Sequence, residues 1–159
     1  MRVVIGSDKS GFYLKEGIKK YLVEKGYEVD DFGTQNFENG VPFFQVAPVV
    51  AKKIQKKEYE RGILICGTGM GMAIVANKYK GVYAAVAESV YSAQKCRAIN
   101  NANILTMGGW ITAENMAFEM VDTFLETEFM EGLEEWRQEF LKKAGIKVNE
   151  IENEIYGGE

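Results

Sequence analysis

The 159-residue chain is 47% hydrophobic and 26% charged, with a net charge of −4, a balance that fits one globular domain with a single core. Net negative charge argues against a surface built for nucleic acid, which requires a basic field. No apolar run approaches the roughly 20 residues needed to cross a bilayer. The chain contains no histidine and two cysteines, Cys66 and Cys96. That excludes Ser-His-Asp and Cys-His catalysis, His-ligated metal, a disulfide framework and a structural zinc site. A general base must then be a carboxylate, thiolate, lysine or tyrosine. The opening Met1–Gly6 is too short in apolar residues for a secretory h-region. We expect a cytoplasmic protein in a reducing compartment, with no cofactor, membrane or nucleic-acid partner.

Short apolar runs alternate with longer amphipathic stretches. Val3 to Ile5 reads as a first buried strand. Ser10 to Lys25 reads as a helix, with Phe12, Leu14, Ile18, Tyr21 and Leu22 at helical spacing and Gly26 as its stop. Tyr27 to Phe32 is a second strand closed by Gly33. After a loop with Asn36, Asn39, Gly40 and Pro42, a helix is predicted from Val46 to Lys56, placing Pro48 in its first turn, where proline is tolerated. Gly62 to Ile65 is apolar on both faces, as in a parallel sheet. A helix from Gly71 to Lys78, a strand from Val82 to Ala87, a helix from Val90 to Ala98, a strand from Asn103 to Met107 and a helix from Thr112 or Glu114 to Thr127 complete the series. This βα alternation implies a parallel sheet covered on both faces. From Glu131 the chain is rich in charge, with a narrow stripe of Leu133, Trp136, Phe140, Ile146, Val148, Ile151 and Ile155. It reads as one or two helices whose stripe packs either on its own domain or on a second subunit.

Ligands of parallel α/β sheets bind beyond the carboxyl ends of the strands. Two such ends are unusual: Gly6-Ser7-Asp8-Lys9-Ser10-Gly11 after the first strand, and Cys66-Gly67-Thr68-Gly69-Met70-Gly71-Met72 after the third, directly before a helix. Alternating glycines let the backbone approach a ligand and turn its N–H groups toward it, and the helix N-terminus adds positive potential. The turn suits an anion, either a phosphate or an enediolate. It is neither the Gly-x-Gly-x-x-Gly of dinucleotide folds nor a P-loop. Cys66 stands where the strand ends and this turn begins, a setting that favours a thiolate able to abstract a carbon-bound proton or attack an electrophile. Thr68 is either an oxyanion donor or a turn residue. Cys96, mid-helix with no glycine loop, fits an inert core thiol.

Ile65-Cys66-Gly67-Thr68-Gly69-Met70-Gly71-Met72-Ala73-Ile74 followed by Ala76-Asn77-Lys78 resembles the signature of the type B ribose-5-phosphate isomerases and galactose-6-phosphate isomerases. So do Gly6-Ser7-Asp8 with Gly11-Phe12 and Leu14-Lys15, Tyr91-Ser92-Ala93, and Asn100-Asn101-Ala102-Asn103. The resemblance runs through residues 1–129, the isomerase domain, and weakens in 130–159, a C-terminal helical extension. It implies a three-layer α/β/α sandwich with a five-stranded parallel Rossmann-like sheet. It further implies a homodimer, or a dimer of dimers, whose active sites use both subunits, and metal-free aldose–ketose isomerisation through a cis-enediolate. Cys66 matches the catalytic base. Thr68 with the backbone of Gly67, Gly69, Met70 and Gly71 matches the group that holds the enediolate, and Asp8, Lys9 and Asn100 fall at substrate-binding positions. Met72 stands where another branch carries a glutamate, which puts this chain in the thiol branch. The tail arginines that grip phosphate have Lys142, Lys143 and Lys147 as their nearest counterparts.

The departures bear on the substrate. Lys9 and Ile99 stand where ribose 5-phosphate enzymes of the family carry histidines, the second assigned to opening the sugar ring. Trp110 stands where an arginine is common, and Pro42-Phe43-Phe44 replaces Asp-Tyr-Pro. Ile99 cannot transfer a proton. A tetrose with phosphate on O4 cannot close a furanose and needs no ring opener, and the Phe-Phe segment with Asn100-Asn101-Ala102 resembles the erythrulose-4-phosphate isomerases. A tetrose 4-phosphate is therefore the favoured substrate, ahead of ribose 5-phosphate and galactose 6-phosphate. A non-catalytic sugar-phosphate sensor is the alternative of another class, disfavoured because a pure binder needs no thiol.

Overall fold

The computed structural model describes residues 1–157. Strands Arg2–Ser7 (β1), Glu28–Asp31 (β2), Arg61–Cys66 (β3), Ala84–Val86 (β4) and Ile104–Gly108 (β5) form one parallel sheet in the order β2-β1-β3-β5-β4. Between them run helices Phe12–Glu24 (α1), Phe43–Gln55 (α2), Met70–Ala76 (α3) and Val90–Ala98 (α4), followed after β5 by Glu114–Glu126 (α5) and Glu135–Tyr156 (α6). The expected five-stranded α/β/α sandwich is present, with the tail as a single helix.

The two-residue period of the strands divides the core. Val3, Ile5, Ile63, Ile65, Leu105 and Met107 face the layer of α1, α4 and α5, where Ile18, Leu22, Met120 and Phe124 are fully buried. Val4, Leu64 and Cys66 face the layer of α2 and α3, against Val46, Val50 and Met72. Each buried branched side chain contributes about 1.5–3 kcal/mol, which accounts for apolar runs on both faces of β1 and β3. The same alternation fixes the side of the sheet on which the Cys66 thiol lies.

Several boundaries differ from the expectation. Helix α2 begins at Phe43, capped by Pro42, so Pro48 lies inside the helix rather than in its first turn. It supplies no N–H to the Phe44 carbonyl one turn back. Helix α3 is shorter than predicted because Asn77 ends it, accepting from the Ala84 N–H at 2.7 Å and donating to the Ala84 carbonyl at 2.8 Å. Strand β4 is also shorter, since as an edge strand it pairs only with β5.

Strand order reverses beside β1: the chain goes from β1 to β2 on one side, then crosses to β3 on the other. The helices that follow β1 and β3 lie on opposite faces of the sheet, and the carboxyl edge between two such strands is the usual ligand position in sheets of this kind. Both unusual loops lie at this point.

Candidate active site

The β1 and β3 loops are tied backbone to backbone. Asp8 N–H donates to the Ile65 carbonyl at 3.2 Å, and Asp8 Oδ1 accepts from Gly11 N–H at 3.0 Å. A Cβ at Gly11 would lie 2.6 Å from the Ile65 carbonyl oxygen, so only glycine allows the loop to close on β3. Burial raises the Asp8 carboxyl above its ordinary pKa, opposed by the Gly11 and Ser10 N–H groups.

Beside the β1 loop the β3 turn folds around the thiol. Gly69 adopts φ +78°, a left-handed conformation that favours glycine, and its N–H donates to Cys66 Sγ at 3.1 Å. Cys66 is 5% exposed, so its sulfur is largely withdrawn from bulk water. Thr68 Oγ1, half-buried, accepts from Met70 N–H at 3.4 Å. The hydroxyl is thus a turn residue whose proton remains free to donate.

The loop after β5 closes over this turn. Gly109 N–H donates to the Cys66 carbonyl at 2.8 Å and Trp110 N–H to the Gly67 carbonyl at 3.0 Å. The space left by two of the glycines holds aromatic rings: a Cβ at Gly67 would meet Trp110 Cε3 at 2.7 Å, and one at Gly71 would meet the Phe43 ring at 3.0 Å. Asp8, Cys66, Gly67, Thr68, Gly69, Met70 and Gly71 therefore gather at one edge. Lys9 stands there too, but its ammonium lies 4.5 Å over the Phe37 ring and makes no ion pair with Asp8 among the described residues.

Asn100 and the tail lysines are elsewhere. Helix α4 runs away from the carboxyl edge, so Asn100, exposed beyond its end, lies by the starts of β4 and β5. Helix α6 lies along the same amino edge: Tyr156 Oη donates to the Lys78 carbonyl at 2.8 Å, and Glu152 accepts from Gly81 N–H at 2.6 Å. A cavity of about 220 Å³ lies there between Asn100, Phe129, Leu141 and Val148. Lys142, Lys143 and Lys147 are exposed on this helix, Lys147 paired with Glu150 at 2.7 Å. Within one chain none of them approaches Cys66.

Two buried cations escaped the sequence reading. Lys15 is fully buried, with Nζ 2.6 Å from Asp31 Oδ2, 2.6 Å from the Thr34 carbonyl and 2.8 Å from Glu16 Oε1. Burial alone would raise the Asp31 carboxyl, but Lys15, the Gly33 N–H and Lys19 hold it below its ordinary pKa. This ion pair anchors the turn after β2, whose Thr34 N–H donates to the Ser7 carbonyl beside Asp8 at 2.8 Å. The signal was a lysine on the apolar face of Leu14 and Ile18, a position where a charge is rarely left unpaired. Arg97 is the amino-edge counterpart, donating to Asn101 Oδ1 at 2.9 Å and to the Ala102 carbonyl at 2.7 Å.

Residues 3–141 match the family model described as Ribose/Galactose Isomerase. The chain belongs to this family. It is an aldose–ketose isomerase of the sugar-phosphate isomerase class. Among its relatives is the 4-deoxy-4-sulfo-D-erythrose isomerase of Clostridium sp. (strain MSTE9), 66% identical with 98% of each chain covered. Another is the D-erythrulose-4-phosphate isomerase of Pectobacterium atrosepticum, 37% identical over 83% of this chain and 87% of the relative. The ribose-5-phosphate isomerase B of Clostridium thermocellum superposes with a TM-score of 0.88 at 39% identity, covering 98% of this chain and 99% of its own. The likeness extends well into the tail.

Proposed function

We propose that the chain isomerises an open-chain four-carbon sugar bearing an anion at C4, with Cys66 as the base and without a metal. The observation that carries this reading is a thiol in a glycine-lined anion turn, in a family of isomerases, within a chain that has no histidine to open a ring. A C4 sulfonate or an O4 phosphate leaves no hydroxyl for a furanose, so Ile99 in the ring-opening position costs nothing. Two relatives named for such four-carbon sugars support the choice, and the 66% identity favours the sulfonate.

In this mechanism the Cys66 thiolate removes the C2 proton of the aldose. The electrons move onto the C1 oxygen to form the enediolate; the resulting thiol then returns a proton to C1, while the proton of the C2 hydroxyl passes to the C1 oxygen, leaving an alcohol at C1 and the ketone at C2. Thr68 and the N–H groups of the β3 turn stabilise the enediolate oxygens, and Asp8 orients the sugar hydroxyls. Phosphate or sulfonate contacts from Asn100 and from Lys142, Lys143 or Lys147 would come from a second copy. Residues 1–129 act as the isomerase domain, and 130–159 as the extension that docks on the partner in a homodimer or dimer of dimers; the last two residues lie outside the described ones. Exposure of Trp136, Phe140, Ile151 and Ile155 along α6 supports that docking, and two unpaired cysteines accord with a cytoplasmic setting.

Turnover of 4-deoxy-4-sulfo-erythrose in D2O with excess chelator tests the proposal. Deuterium at C1 of the ketose is expected. A chelator-sensitive rate with no label would indicate hydride shift and overturn the thiolate mechanism. Failure to turn over any C4-anionic tetrose would overturn the substrate.

A further inference from the structure

We infer that Thr34 is a positioning residue whose buried hydroxyl closes the loop that aims Lys9 at the sugar; this rests on the proposed isomerase, with Lys9 beside Asp8 as a substrate ligand. Thr34 is fully buried, and each of its polar groups has a partner. Its N–H donates to the Ser7 carbonyl at 2.8 Å, and its carbonyl accepts from Lys15 Nζ at 2.6 Å. Those two bonds fix it to the end of β1 and to the buried ion pair. The third runs from Val41 N–H to Thr34 Oγ1 at 3.0 Å and joins the two ends of segment 35–40. Among the described residues the other hydrogen bonds of this segment stay within it or return to the turn after β2. One side-chain hydroxyl therefore closes the loop.

Lys9 meets that loop at two points. A Cβ at Gly40 would lie 2.6 Å from Lys9 Cβ, so the Gly40 backbone rests directly on the lysine stem. The ammonium lies 4.5 Å over the Phe37 ring, and Phe37 packs on Tyr13 with ring centroids 5.0 Å apart. Lys9 is exposed and makes no hydrogen bond or ion pair among the described residues. A lysine stem is flexible, and its direction is set by the surface it lies along. Segment 35–40 thus decides where this ammonium points, and Thr34 Oγ1 decides where the Gly40 end of the segment lies. The Cys66 turn is held by other bonds, from Gly109 and Trp110 N–H. Losing the Thr34 hydroxyl should therefore weaken substrate binding and leave proton transfer unaffected.

The test is a double-mutant cycle read in KM, which does not depend on the fraction of enzyme that is folded. Turnover of 4-deoxy-4-sulfo-erythrose is measured for the wild type, Thr34→Val, Lys9→Gln, the double variant and Thr34→Ser. Thr34→Val keeps the side-chain shape but loses the acceptor. It should raise KM about threefold to tenfold, the range of one net hydrogen bond, with kcat little changed. Lys9→Gln should raise KM at least about tenfold, the scale of a hydrogen bond to a charged group. The double variant should match Lys9→Gln alone, because residues that act through one contact are not additive. Thr34→Ser keeps the oxygen and should keep the wild-type KM. The inference is overturned by a wild-type KM in Thr34→Val or in Lys9→Gln, by the same rise from Thr34→Val in both backgrounds, by a loss in kcat alone, or by a Thr34→Ser as impaired as Thr34→Val. A wild type inactive on the tetrose but active on ribose 5-phosphate removes the proposed substrate, and the same cycle on ribose 5-phosphate then decides the inference by itself. A wild type active on neither sugar removes both.

Discussion

The two edges of the sheet solve opposite problems. At the carboxyl edge the loops are tied to one another by backbone bonds: Asp8 to Ile65, Gly109 to Cys66, Trp110 to Gly67. Glycines there let main chains and aromatic rings close in, which holds the thiol and its turn rigidly enough to meet a small substrate. At the amino edge, side chains do the tying. Asn103 donates to the Gly81 carbonyl and accepts from Tyr83 N–H, both at 2.8 Å, and Arg97 braces Asn101 and Ala102. That edge ends in α6, a helix with no buried residue of its own. One edge is complete within the chain. The other carries the Asn100 and tail lysines of the sequence pattern with nothing near them to react. The proposed mechanism therefore calls on a second copy to bring its amino edge to the first copy's carboxyl edge.

The sharpest way to break the comparison is at the thiol. Cys66→Ser should fold normally by circular dichroism and lose about 100- to 10,000-fold in turnover, the usual contribution of a positioned acid–base group. Near-wild-type turnover would remove Cys66 from the mechanism.

Lys15 tests whether the carboxyl edge depends on its buried ion pair. Lys15→Met leaves Asp31 buried with only the partly exposed Lys19 as its cation, and should cost about 3–5 kcal/mol in denaturant unfolding. The pH dependence follows from the lowered Asp31 pKa. Its stabilisation is present above the ordinary carboxylate range and is lost as pH falls through the folded value. The gap in stability between wild type and Asp31→Asn should therefore close on acidification; a gap independent of pH would show that the ion pair does not set it.

At the amino edge, ending the chain after Phe129 should raise KM at least roughly tenfold, as when a charge-assisted substrate contact is lost, and should shift sedimentation toward monomer. A fully active truncated monomer would show that the carboxyl edge suffices alone.

The smallest effect separates the two thiols. Burial pushes Cys96 up to about 11, and its Sγ lies 3.2 Å from the Ala93 carbonyl, so it should resist alkylation at neutral pH. Mass spectrometry after iodoacetamide should find label on Cys66 first, with substrate protecting it.

The layered fold was legible because β1 and β3 are buried on both faces and read as unbroken apolar runs. Helix α4 was legible to the residue because Ser89 and Ser92 cap it reciprocally, a purely local device. The start of α2 was not, since Pro48 suits a first turn yet is accommodated inside this helix, where Val46, Ala47 and Val50 pack on the sheet. Among the candidate site residues, Cys66 and Thr68 stood out through the alternating glycines beside them. That those glycines also receive Trp110 and Phe43 was beyond reach, because the rings arrive from other strand ends and only the folded sheet makes them neighbours. Separation of Asn100 from Cys66 was hidden for the same reason: motifs adjacent in a pattern carry no sign of which sheet edge they occupy.

The most direct test of the central claim compares catalytic efficiency on a ring-free tetrose and on a sugar that must be opened. At matched concentrations, 4-deoxy-4-sulfo-erythrose or erythrose 4-phosphate should exceed ribose 5-phosphate in kcat/KM by at least about 10-fold, the lower part of an acid–base contribution that Ile99 cannot supply. Equal efficiency on the tetrose and on ribose 5-phosphate would contradict the account.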